Sequence, residues 1–215
     1  MLRLLRVHDA ALREGVLYEL ATEYLGQQDI RSRTIESLAH RYQVDSEQAA
    51  RVQASAMQLF DACAKTWGIG ETYWRQLLNW AAQLHEVGLH IHSSSKHKHS
   101  AYILRHTDLP GFHREQQQVL AAMVRLQRKK VRLDELPDIT VYSRDAILKL
   151  IALLRLAVLV NQDRQSEQAI AKVKAQPQGL HLQLTPNMEQ DAVLLADLAI
   201  EKPQAKRLGL LLTWS

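Results

Sequence analysis

The chain has 215 residues, 47% of them hydrophobic and 23% charged, which is enough to bury one or two ordinary cores. Eight glycines, five prolines and 6% aromatics exclude collagen-like and low-complexity chains, and a single cysteine, Cys63, excludes a disulfide framework and a cysteine zinc site. The net charge of +4 is modest, but its distribution is not: nine Lys or Arg lie between Lys96 and Arg132 against only Asp108 and Glu115.

From Ala10 to Tyr42 the pattern is helical, with Leu12, Val16, Leu20 and Tyr24 every four residues and Ile35, Leu38 and Tyr42 resuming after a break near Gly26. Arg3, Arg6 and His8 interrupt any leader-like apolar stretch, so a cytoplasmic setting is expected. Asp45-Ser-Glu-Gln opens the next helix, with Asp45 or Ser46 as cap, and Gln48 placed for a capping box if Asp45 is the cap. Val52, Ala56, Leu59, Phe60 and Cys63 form its apolar face, and Gly68 and Gly70 end it. A helix is expected over Tyr73–Val87, its inner stripe Trp74, Leu77, Leu78, Ala81 and Leu84, stopped by Gly88.

Ser93-Ser-Ser reads as a loop, His97–Arg105 as a short helix, Leu109-Pro-Gly as a turn and His113–Lys129 as a helix with Val119, Ala122, Met123 and Leu126 inward. Ile147–Val160 is apolar almost all round and predicts the central buried helix. Broken by Lys149 and Arg155, it is too short to span a bilayer. After Asp163 the period changes. Ala169–Val173 and Leu180–Leu184 alternate around a Pro177-Gln-Gly turn, Met188–Ile200 returns to helical spacing, and Leu208–Leu212 reads as a last strand. The fold class is mainly α, a helical bundle followed by a small α+β tail of β-β-α-β order.

Two groups of residues have the makings of chemistry. Seven of the ten histidines fall between His85 and His113, and His85 lies on an apolar stripe beside Glu86, with His99 heading a helix downstream. Histidine–carboxylate pairs with further histidines on neighbouring helices are ingredients of a metal phosphohydrolase, though a histidine on an apolar stripe is also an ordinary satisfied core residue. The second group is Lys96, His97, Lys98, Arg125, Arg128, Lys129 and Lys130, a basic pole built from two segments. Its side chains suit phosphate oxygens, and its plain alternative is a solvated face. No phosphate-cradling glycine loop and no Gly-x-Ser-x-Gly elbow is present.

Six segments in order carry a resemblance: Ala11-Leu-Arg-Glu-Gly, Arg31-Ser-Arg-Thr, Leu84-His-Glu-Val-Gly-Leu, His97-Lys-His-Ser-Ala-Tyr-Ile-Leu, Asp108-Leu-Pro-Gly-Phe and Leu153-Leu-Arg-Leu-Ala-Val-Leu-Val-Asn. Together they resemble the C-terminal half of the exopolyphosphatase / guanosine pentaphosphate phosphohydrolase family. The resemblance implies that residues 1–26 continue the last helix of an actin-like domain, 27–163 form a helical domain like the HD phosphohydrolases, and 164–215 form a small mixed domain. It places the catalytic glutamate, the phosphate loops and the Mg²⁺ site in actin-like domains that these motifs do not include. No cofactor and no catalytic residue is therefore expected of this chain, and on its own it is expected to be inactive.

HD enzymes hold their metal with an early His, a His-Asp pair and a later Asp. Here the pair is His85-Glu86, no histidine lies between Asp45 and Lys65, and Asn161 and Asp163 are the nearest candidates for the last ligand. A degenerate pocket of His85, Glu86 and His99 without metal is the expectation. The implied function is binding of inorganic polyphosphate at the seven basic-pole residues, with homodimerisation helped by Leu210, Leu211 and Leu212, whose plain alternative role is to finish the core of the small domain. The alternative is a stand-alone HD-like metal phosphohydrolase of nucleotides or phosphate esters. Nucleic acid is disfavoured, because Lys96–Arg132 offers only Tyr102 and Phe112 for base stacking.

Overall fold

The computed structural model describes residues 30–165 and 168–215. The helical pattern of residues 10–26 and the remnant assigned to 1–26 lie outside the described residues.

Helix α1 (30–41) buries Ile35 and Leu38, as its pattern predicts. Helix α2 (Ser46–Trp67) starts where Asp45 accepts from the Gln48 N–H at 3.0 Å. The capping box does not close: the Gln48 amide instead donates to the Asn161 carbonyl at 2.6 Å, tying α2 to the end of the central helix. Gly68 takes φ +66°, and its N–H turns back onto the last carbonyls of α2.

Helix α3 (Thr72–Gln83) ends four residues before the expected Val87. The chain then tightens through bonds from Val87 to Leu84, Leu89 to Glu86 and Ile91 to Gly88, each spanning three residues. The cause is a close approach. A Cβ on Gly88 would sit 2.3 Å from the Ser100 nitrogen, and the Gly88 N–H donates to Ser100 Oγ at 2.8 Å. The glycine thus docks this turn on helix α4 (Lys96–His106), which a single 3₁₀ turn at Ser93–Ser95 introduces.

Helix α5 (Arg114–Leu126) stops three residues short of the expected Lys129. Lys129 itself has φ +63°. Helix α6 (Arg144–Leu159), capped by Ser143, runs through the centre as expected and packs against α2, α3 and α5. Its one inward charge explains the early end of α5: the Arg155 guanidinium donates to the Leu126 carbonyl and to the Lys129 carbonyl at 2.8 Å. Those carbonyls would otherwise lack partners at the helix end.

In the tail, strand β1 (Ile170–Gln176) pairs antiparallel with β2 (Gly179–Leu184), which pairs parallel with β3 (Leu211–Trp214), in the order β1-β2-β3. Helix α7 is Ala192–Arg207 and makes the crossover, starting later and ending later than Met188–Ile200. Asp191 is the cap that fixes its start, accepting from Val193 and Leu194, and Pro203 lies within it. Leu208 ends α7 and Gly209 turns at φ +84°, so the last strand begins at Leu211 rather than Leu208. Trp67 donates to the Gln176 carbonyl at 2.8 Å and Gln58 to the Ile170 carbonyl at 3.1 Å, so the sheet lies along α2. Leu180, Leu182 and Leu212 join the same apolar cluster as Leu59, Leu77 and Leu150.

Candidate anion-binding site

The turn after α3 carries His85 and Glu86 into the interior, where they are 0% and 3% exposed. His85 Nδ1 meets the Ala82 carbonyl at 2.7 Å, which leaves Nε2 an acceptor. That Nε2 is buried without a hydrogen-bond partner and lies 3.8 Å from Glu86 Oε1. Burial pushes the His85 imidazole down to about 4, so it is neutral near pH 7.

Glu86 is saturated by cations. The Lys96 ammonium donates to Oε1, and Arg164 donates to Oε2 at 2.7 Å while holding Asp45 at 2.8 Å with its other arm. Burial raises the Glu86 carboxyl, but the charges of Lys96 and Arg164, and of His85 when protonated, outweigh it and hold the group below the usual carboxylate range. His99 is half-buried, and its ring neighbour is His92, with centroids 6.4 Å apart. Both oxygens of Glu86 are already taken by nitrogen cations, so the residues of an HD-type centre do not fit a metal ion here. Among the described residues no three His, Cys, Asp or Glu side chains converge as metal ligands.

Six of the seven basic-pole residues divide between two concavities. Lys96, Arg128, Lys129 and Lys130 line a cavity of about 440 Å³ between the end of α5, the end of α6 and helix α7. Lys98 and Arg125 line a second one, about 540 Å³, on the outer side of α4, where Arg125 is paired with Glu135 at 2.8 Å. His97 is buried and its Nδ1 has no partner. Burial, then the charges of Arg125, Arg128, Lys98 and Lys129, push it down to about 4, so cations from both concavities act on one ring.

The sequence reading missed three arginines. Arg207, at the end of α7, adds a cation from the tail to the first cavity. Arg164 completes the Glu86 cluster from a backbone position of φ +59°. Arg155 also lines the cavity, with two bonds of 2.6 and 2.7 Å to Glu201 besides those to its two carbonyls. A lone arginine in an apolar helix was the available signal, since a buried charge requires a partner. Nothing local marked Arg164 or Arg207.

No helix among the described residues is long and apolar enough to cross a membrane. Residues 30–202 match the profile of Ppx/GppA phosphatase domain III. The chain is 39% identical over 175 residues to a guanosine-5'-triphosphate,3'-diphosphate pyrophosphatase of Vibrio cholerae, covering 81% of this chain and 35% of that protein. It is 36% identical over 201 residues to the protein of the same description from Vibrio vulnificus, covering 93% and 40%. A relative so described from Pseudoalteromonas translucida is 39% identical over 160 residues, covering 73% and 31%. The chain thus spans about a third to two fifths of the length of these relatives. On the match over residues 30–202, the chain belongs to the Ppx/GppA phosphatase family.

Proposed function

We propose that this chain is the portion of a Ppx/GppA phosphohydrolase that holds a phosphate chain, in the cavity between the α5 end and α7. One observation carries the reading: Arg128, Lys129 and Lys130 from the helical body and Arg207 from the tail line one concavity. Fixed cations around a cavity bind linked phosphates through many salt-sensitive contacts. Inorganic polyphosphate and the 5'-triphosphate of the relatives' guanosine substrate share this chemistry. A long chain continues past His97 to Lys98 and Arg125. The ion pair with Glu86 positions Lys96.

The homodimer belongs to the same proposal on a narrower basis than the sequence offered. Leu210 and Leu212 are core residues, while Leu211 is 58% exposed on β3, an edge strand of the sheet. Two such edges pair across a two-fold axis. Sedimentation at micromolar concentration should show a dimer that Leu211→Lys weakens; a monomer at every concentration removes this part.

The binding reading is tested with long-chain polyphosphate at low salt. Arg128→Glu with Lys129→Glu should weaken binding at least tenfold, and Lys65→Glu with Lys174→Glu, both on exposed positions elsewhere, should change it little. Equal losses from the two pairs would reduce the attraction to net charge.

A further inference from the structure

Four histidines, His90, His92, His97 and His99, fall within ten residues, and the fold sends them in different directions. His97 is buried, and His90 Nε2 meets the Gln43 carbonyl at 3.3 Å. His92 and His99 come together instead, their ring centres 6.4 Å apart and their planes tilted by 40°. His92 is exposed and His99 half-buried, so solvent reaches both. Among the described residues nothing hydrogen-bonds to the His99 ring.

The backbones that carry the two rings are held in place. Gly88 lies so close to α4 that a Cβ on it would sit 2.7 Å from the His99 Cβ. The Gly88 carbonyl accepts from the Ile91 N–H at 3.2 Å, which sets the approach to His92. The 3₁₀ turn Ser93–Ser95 then carries the chain from His92 directly into α4. Two imidazoles on two fixed segments act as a chelate, because the second ligand is already placed when the first binds. Ser94 Oγ lies 2.9 Å from His92 Nδ1. With the Nδ1–H donating to Ser94, Nε2 carries the lone pair, and a metal-bound histidine is ordinarily held by such a bond on its other nitrogen. An imidazole nitrogen binds Zn²⁺ at about 2.0–2.1 Å, so the ion sits about 3 Å from a ring centre and two rings on one ion are about 5–6 Å apart. A small rotation of the exposed His92 ring closes the 6.4 Å separation to that distance.

We infer that His92 and His99 form a two-histidine site for a divalent transition-metal ion of the Cu²⁺, Ni²⁺ and Zn²⁺ class, with water completing its coordination. Imidazole suits these ions and binds Cu²⁺ most tightly, whereas Mg²⁺ prefers oxygen ligands. His85 and Glu86 take no part. The bound ion staples the turn after α3 to the first turn of α4, the two segments that carry Glu86 and Lys96.

The test is calorimetric titration of the whole chain, free of any tag, with CuCl₂, ZnCl₂ and MgCl₂, together with the melting temperature in each ion. One Cu²⁺ should bind, more tightly than Zn²⁺, and should raise the melting temperature; Mg²⁺ should not displace it. His92→Ala and His99→Ala should each weaken Cu²⁺ binding and remove the rise in melting temperature. A lost ligand costs at least what a lost supporting bond costs, about tenfold or more. His90→Ala should change neither reading. His92→Ala lies at an exposed position and carries the test even if His99→Ala folds poorly. Cu²⁺ affinity unchanged in His92→Ala, or lost equally in His90→Ala, overturns the pairing. Absence of Cu²⁺ binding by the unaltered chain overturns the site.

Discussion

Two buried ionic clusters flank the cavity, and they are built for different work. Around Arg155 four of the five guanidinium N–H groups are used, two on Glu201 and two on backbone carbonyls, and the side chain is buried, so little capacity is left for a ligand. Around Glu86 both carboxylate oxygens hold a cation, and Lys96, with one protein partner for its three N–H groups, also lines the cavity. A cation shared with a ligand must have donors to spare. The difference assigns Arg155 to architecture and Lys96 to the site, although both line the same hollow.

The sharpest way to break this contrast is at Arg155. Arg155→Ala leaves Glu201 buried without its cation and should cost about 3–5 kcal/mol in denaturant unfolding. Replacing the pair together, Arg155→Met with Glu201→Leu, should recover much of that loss. A single variant as stable as the unaltered chain would show that Arg155 is not structural.

The next effect is in pH. The folded His85 is held near 4 against an ordinary value of 6.5, so the folded state resists a proton that the unfolded state accepts. Its contribution is complete above about pH 6.5 and falls as pH drops toward 4, by about 3 kcal/mol in all. Urea midpoints should decline over that window, and less steeply in His85→Asn. A flat profile would place His85 in contact with water.

The smallest effect on stability is expected at Lys96. Lys96→Met leaves Glu86 with Arg164 and should cost only about 1–2 kcal/mol in the same unfolding assay. It should nevertheless weaken polyphosphate binding. A loss as large as that of Arg155→Ala, with binding unchanged, would reverse the two assignments.

Periodicity made the helical body legible. The stripes on α2, α3, α5 and α6 named the buried residues, because an amphipathic or wholly apolar helix states its own packing. Helix ends were less legible, because tertiary partners set them: Ser100 receives the Gly88 turn, and Arg155 takes the carbonyls that end α5. The basic pole was legible as composition, but its division was not, since Lys96 and Lys98, two residues apart in one turn of a helix, line different hollows. Arg207 joins Arg128 and Lys129 only through the crossover that lays α7 beside the α5 end, a contact between distant parts of the chain.

That contact is the central claim, that body and tail together hold one phosphate chain. It is tested most directly by the salt dependence of long-chain polyphosphate binding in three proteins: the unaltered chain, Arg128→Gln with Arg207→Gln, and Lys65→Gln with Lys174→Gln. Log affinity should fall linearly with log salt, and the cavity pair should flatten the slope by roughly 0.7 for each cation removed, while the remote pair leaves it unchanged. Identical slopes in all three proteins would contradict the account.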